Sequence, residues 1–181
     1  HRANSITDFD TRYGAEIDVR DYGDKLVISH DIPNETSLEL DSLFTTIPKK
    51  SFLAINMKSS EIESSLKEII DKHRFENYFT FDHSMPSLIK SIKCNLSCAF
   101  RLSEYEKEII PNCTWVWVDC FEKIWYDSNF LSFLKDLHLK IALVSPELHG
   151  RTSEIKKFEA IVNSISVDAI CTDMPEYWNN D

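Results

Sequence analysis

Glycine is scarce in this chain, three residues in 181, and proline is limited to six. So little of either leaves no flexible linker or low-complexity tract to divide the sequence, and a single domain over residues 1–181 is expected. No apolar run approaches the roughly 20 residues of a membrane-spanning helix. Positive charge is also in deficit, with 20 Lys and Arg against 30 Asp and Glu, a net charge of −10. That balance argues against DNA or RNA held through its phosphate backbone. It leaves room for a small phosphate ester held by a local cation or a metal. The five cysteines, Cys94, Cys98, Cys113, Cys120 and Cys171, include no CxxC pair and no Cys/His zinc spacing, which speaks against structural zinc. Most lie in apolar runs and read as buried, reduced thiols, the pattern expected of a cytoplasmic protein. No secretory leader is visible, but the chain starts at His1 without Met, so an upstream segment is expected to be missing.

What is present is organised around residues 15–31, AEIDVRDYGDKLVISHD. Glu16 and Asp18 are two apart, so on a strand both leave one face while Ile17 and Val19 leave the other. Leu26, Val27, Ile28 and Ser29 read as a second short strand ending on His30 and Asp31. Two carboxylates at one strand end and an imidazole at the next suit a divalent cation with an acid or base beside it. A solvated edge strand with outward charges is the plainer reading of any one of these residues alone.

Further along, SFLAINMK (residues 51–58) alternates as a strand and puts Asn56 and Lys58 on one face. Residues 59–73 read as a helix capped by Ser59 or Ser60, with Ile62, Leu66, Ile69 and Ile70 as its stripe. Residues 34–44 read as a short helix. Strands and helices then alternate to the end of the chain, which implies βα units and parallel pairing. Seven strands are counted and an eighth is placed just before His1. The expected fold is therefore α/β, a small (β/α)8 TIM-type barrel whose first strand is largely missing. An open doubly wound sheet is the competitor. The barrel is favoured because Glu16, Asp18, His30, Asn56, Lys58, Asp82 and Asp119 all fall near carboxyl ends of strands, where barrel enzymes place their chemistry.

HR at residues 1–2, EIDV, ISHD, AINMK and DAICTDMPE, in that order, resemble the glycerophosphodiester phosphodiesterases and the wider phosphatidylinositol phospholipase C-like group. The resemblance implies that His1 and His30 are an acid and base pair. It implies that Arg2 and Lys58 hold the phosphate, and that Glu16, Asp18 and Asn56 bind a divalent cation, Mg²⁺ or Ca²⁺. Three departures stand out. Ala3 replaces the glycine of the family's HRG. Asn56 occupies the place of a third metal carboxylate, so weaker cation binding is expected. The segment 33–44 is short where many members carry an insertion, which leaves the glycerol-type substrate open.

Trp115 is expected to pack the core, whereas Trp117 and Asp119 are candidates for a substrate pocket. Either Asp82 and His83 line the mouth, or Asp82 shares with Ser84 the candidacy for a helix cap. Asn56 is either a ligand or a structural hydrogen bonder. Glu147 and His149 receive no role, and His73 and His138 are read as surface residues. The expected activity is cleavage of a glycerophosphodiester or a related small or lipid-derived phosphodiester. Two alternatives remain: a phospholipase-type lyase forming a cyclic phosphate, and a weakened barrel that binds phosphorylated ligands. No nucleic-acid partner is expected, and oligomeric state is beyond the text.

Overall fold

The computed structural model describes residues 3–5, 9–10 and 12–178. His1 and Arg2 lie outside the described residues. The chain divides into two compact units, His1–Cys98 and Ala99–Asp181.

In the first unit, strands β1 (Ala15–Tyr22), β2 (Lys25–Ile28), β3 (Leu38–Glu39), β4 (Leu53–Met57) and β5 (Tyr78–Phe81) form one sheet in the order β3-β2-β1-β4-β5. β1 runs parallel to β4, and β4 parallel to β5. β2 is antiparallel to β1, with Tyr22 opposite Lys25. Only Gly23 and Asp24 separate those partners, and Gly23 takes φ +64°, the left-handed geometry that a two-residue hairpin requires. The strand ending at His30 is thus the return arm of a hairpin and not a separate βα strand. A two-residue loop cannot serve a parallel pair, which needs a long crossover. Gly14, just before β1, permits a close approach: a Cβ there would stand 2.8 Å from Cδ1 of Phe52.

The face of β1 and β4 carrying Ile17, Val19, Leu53, Ile55 and Met57 is buried throughout. The helices α1 (Leu40–Thr46) and α2 (Glu63–His73) bury Leu40, Leu43, Phe44, Leu66 and Ile70. Each such side chain contributes about 1.5–3 kcal/mol by leaving water. Helix α1 is preceded by β3, so the expected helix over residues 34–44 is in fact turn, short strand and then helix. Helix α2 starts at Glu63, later than its serines suggest, because Glu61 turns left-handed at φ +68° and breaks the run. Ser59 instead accepts a long hydrogen bond from the Asp21 N–H at 3.4 Å. Helix α3 (Met85–Lys93) is capped by Ser84, whose hydroxyl accepts from the Ser87 N–H.

In the second unit, β6 (Ala99–Leu102), β7 (Trp115–Val118), β8 (Lys140–Val144) and β9 (Ala169–Cys171) form an all-parallel sheet in sequence order. Helix α4 (Ser128–Asp136) connects β7 to β8 and is capped by Asp127, which accepts from the Phe130 N–H at 2.8 Å. Helix α5 (Ile155–Ser164) connects β8 to β9 and buries Phe158, against which Trp178 of α6 (Pro175–Trp178) stands edge-on. Val116, Val118, Ile141 and Leu143 are fully buried. Unbroken apolar strands of this kind are what a parallel sheet flanked by helices needs.

All five cysteines are free thiols. Among the described residues no helix is long and apolar enough to cross a membrane.

Candidate functional site

The first unit gathers a polar group along β1 and at the carboxyl ends of β4 and β5. Glu16 and Asp18 do not end their strand as expected, because β1 runs four residues past Asp18 to reach the hairpin. Asp18 lies opposite Asn56 in register, and Glu16 opposite Ala54. Residues in register on neighbouring strands share a face, so Glu16, Asp18 and Asn56 stand together on the side opposite Ile17, Val19 and Ile55. All three are buried: Glu16 is 6% exposed, Asp18 0% and Asn56 3%.

Burial of a carboxylate requires partners, and Asp18 has them. Asn4 donates from Nδ2 to its Oδ2 at 2.8 Å and accepts from the Asp18 N–H at 3.0 Å. Lys58 brings Nζ to 3.3 Å from Oδ1. Lys58 follows β4 by one residue and keeps the strand geometry, since its N–H donates to the Val19 carbonyl at 3.0 Å. Its side chain therefore leaves the same face as Asn56. Asp82 closes the group: at the end of β5, with φ +61°, its Oδ2 accepts from Asn56 Nδ2 at 2.9 Å. The other end of that amide, Oδ1, is buried and has no hydrogen-bond partner among the described residues.

His30 sits just beyond β2. The Ser29 N–H donates to the Asp18 carbonyl at 2.9 Å, which anchors the chain one residue before the imidazole. The Arg20 guanidinium donates to the His30 carbonyl at 2.8 Å. The ring itself is 44% exposed, with Nδ1 3.0 Å from Asp31 Oδ1. The backbone at His30 is thus fixed beside Asp18 while its ring remains open to solvent.

Two carboxylates, an amide oxygen lacking a partner and an adjacent ammonium suit a hard divalent cation beside an anionic ligand. The buried, unsatisfied Asn56 oxygen is the observation that fits a cation, because a native structure seldom leaves such an acceptor alone. Of the three acids in the group, Asp82 engages the Asn56 amide, which leaves Glu16 and Asp18 as the acidic ligands on offer. Among the described residues no cluster of three or more His, Cys, Asp or Glu side chains is arranged to hold a metal ion.

Trp117 and Asp119 belong to the second unit. Trp117 is 5% exposed and lies between Arg101 and Ala142 in register. Asp119, just past β7, accepts from Arg101 Nη1 at 2.8 Å through Oδ2. Its Oδ1 pairs with His149 Nε2 at 2.7 Å and accepts from the Cys120 N–H at 2.8 Å. Sequence reasoning gave His149 and Arg101 no part in this. Arg101 could have been found, since an arginine inside the apolar strand AFRL needs a buried counter-charge. His149 gave no signal, because its position depends on the turn Pro146–His149 that follows β8. Glu147 in the same turn accepts from the hydroxyls of Ser145 and Thr172.

The loop after β7 is held from two sides. Glu104 accepts from the N–H groups of Phe121, Glu122 and Lys123 at 3.1, 3.0 and 2.9 Å. Burial raises the Glu104 pKa, but these backbone donors outweigh it and hold the carboxyl below its usual range. Arg151 donates to the carbonyls of Cys120 and Phe121 from the opposite side.

One further expectation is corrected here. His73 is not a surface residue: its side chain is 11% exposed and Nε2 lies 2.8 Å from Asp41 Oδ1. The His83 ring lies against the hydroxyls of Thr80, Ser87 and Ser91, with Nε2 3.0 Å from Thr80 Oγ1.

No family model matches the chain, and no curated protein is similar to it. Solved structures are. A glycerophosphodiester phosphodiesterase from Thermotoga maritima aligns over 91% of this chain and 83% of its own, with a TM-score of 0.66 and 18% identity. One from Agrobacterium tumefaciens aligns over 87% and 82%, at 0.64 and 13% identity. A phosphodiesterase from Oleispira antarctica, solved with the product sn-glycerol-3-phosphate, aligns over 91% and 83%, at 0.62 and 16% identity. The resemblance in sequence motifs is matched by one in structure: this chain has the fold of the glycerophosphodiester phosphodiesterases.

Proposed function

We propose that this protein is a phosphoric diester hydrolase that cleaves a glycerophosphodiester or a related small or lipid-derived phosphodiester. In this reading residues 1–181 form one (β/α)8 barrel domain. The observation that carries the reading is the constellation of buried Glu16, Asp18 and Asn56 with half-buried Lys58 on one face of neighbouring parallel strands, in a fold shared with phosphodiesterases. Glu16, Asp18 and the Asn56 oxygen would hold Mg²⁺ or Ca²⁺. The cation would supply positive charge to the phosphoryl oxygens as negative charge builds up in the transition state.

The chain's own residues do the rest. Lys58, and Arg2 at the terminus, neutralise and orient the phosphodiester. One imidazole of the His1 and His30 pair takes the proton of the attacking water as its oxygen bonds to phosphorus. The other gives its proton to the departing alkoxide oxygen as the phosphorus–oxygen bond breaks. The exposed ring of His30 suits a group that must meet substrate and exchange protons with solvent. A neighbouring substrate hydroxyl in place of water gives a cyclic phosphate by the same proton transfers.

The Lys58–Asp18 ion pair favours a second reading, a phosphate-binding barrel without turnover, because it balances Asp18 without a cation. A panel of glycerophosphodiesters, lysophospholipids and bis-(p-nitrophenyl) phosphate, assayed with Mg²⁺, Ca²⁺ or EDTA, separates the readings. Phosphorus NMR of the products distinguishes hydrolysis from cyclisation. Cation-dependent turnover is expected; binding of the phosphodiesters with no turnover on any condition selects the second reading.

A further inference from the structure

We propose that Asp82 is a positioning residue that fixes which end of the Asn56 amide faces the cation site, and thereby sets the cation affinity. The inference rests on the metal-assisted reading above.

An amide has a donor end and an acceptor end of nearly the same shape, and only its hydrogen bonds decide which way it lies. β4 runs between β1 and β5. Asn56 sends Nδ2 to Asp82 at the end of β5, which turns Oδ1 away from β5 and leaves it buried without a partner among the described residues. Asp18 is the register partner of Asn56 on the other flank, in β1. The reverse orientation would direct an N–H toward the carboxylate-bearing strand, where it would compete with a cation. A hydrogen bond to an ionised acceptor is among the stronger ones, so the Asp82 carboxylate is well suited to hold the amide. It also draws charge through the amide and makes Oδ1 a better donor to a cation. Asp82 thus places a negative charge one bond network away from the position where Asn56 has none. It adopts a left-handed backbone to do so, at φ +61°, which Asp tolerates better than most residues.

The left-handed backbone supplies a clean variant. Asp82→Gly removes the carboxylate at a φ that glycine prefers, so the fold is kept. Asp82→Asn keeps a side-chain oxygen that can accept from Asn56. Calorimetric titration of Mg²⁺ and of Ca²⁺ into the full chain, with a thermal melt of each variant, gives the readout without turnover. Asp82→Gly is expected to weaken cation binding about 10- to 100-fold, the range for residues that orient a metal ligand. Asp82→Asn is expected to recover most of that loss. In an Asn56→Ala background, Asp82→Gly is expected to have no further effect. Wild-type affinity in a folded Asp82→Gly protein overturns the proposal, as does a loss that persists undiminished in the Asn56→Ala background. A wild-type chain that binds neither cation overturns the metal-assisted reading itself, a result distinct from either.

Discussion

Lys58 serves a carboxylate that water cannot reach: its Nζ stands 3.3 Å from Oδ1 of Asp18, a side chain with no exposure at all. Removing one partner of a buried ion pair costs about 3–5 kcal/mol. Lys58→Met is therefore expected to lower the unfolding free energy by about that amount in urea titrations made with EDTA. Added Ca²⁺ or Mg²⁺ should return part of the loss by replacing the ammonium as the counter-charge of Asp18.

Asn56→Asp supplies the carboxylate that the family pattern expects, but next to Asp82. Two carboxylates in the 2.9 Å relationship now held by Asn56 and Asp82 cannot both ionise comfortably. Without cation the variant should melt lower than wild type. With Mg²⁺ or Ca²⁺ its melting temperature should rise further than that of wild type, and calorimetry should give tighter binding. Unchanged cation affinity in the folded variant removes Asn56 from the ligand set.

His30→Ala is expected to reduce turnover by roughly 10²–10⁴ with little change in stability, since it deletes a proton-transfer group whose ring is 44% exposed. The same is expected of His1→Ala. Steady-state kinetics beside a thermal melt checks both, and near-wild-type rates in either variant count against the acid–base pair.

His83 gives a pH prediction. Burial among Thr80, Ser87 and Ser91 pushes its pKa down from 6.5 to about 4. Between those values the unfolded chain binds a proton that the folded chain refuses, so stability falls as pH drops from about 6.5 toward 4. The total is at most about 3 kcal/mol, at 1.36 kcal/mol per pKa unit. Urea midpoints of wild type and His83→Gln at pH 7 and pH 4.5 isolate the effect. Wild type should lose more stability on acidification than the variant.

Much of this architecture was readable from the residues. Alternation over 51–58 located β4, the Glu16–Asp18 spacing located their shared face, and Ser84 was a cap candidate that does cap α3. Strand direction was not in that alternation, because a period of two is the same for parallel and antiparallel partners. Residues 22–25, YGDK, held the missing information: the loop they form is too short for anything but a hairpin. Ser59 and Ser60 look like caps but do not set the start of α2, which the left-handed Glu61 decides. Asn4 with Asp18, Asp82 with Asn56 and His149 with Asp119 were out of reach for a different reason. Each joins residues 14 to 30 positions apart, and no local pattern reports such a meeting.

The clamp on the loop after β7 touches only main-chain atoms of residues 121–123: Glu104 takes their N–H groups, and Arg151 takes the Phe121 carbonyl together with that of Cys120. The main chain of the loop is therefore held by two residues outside it. Of the side chains the loop displays, the Phe121 ring packs against Arg101, Tyr105 and His149, and Glu122 accepts from the Tyr105 hydroxyl. That leaves Lys123 as the position where a mutant library can change surface chemistry while the backbone keeps its course. At Lys123 the fold thus separates the part that holds shape from the part that is displayed, with Glu104 and Arg151 holding the main chain.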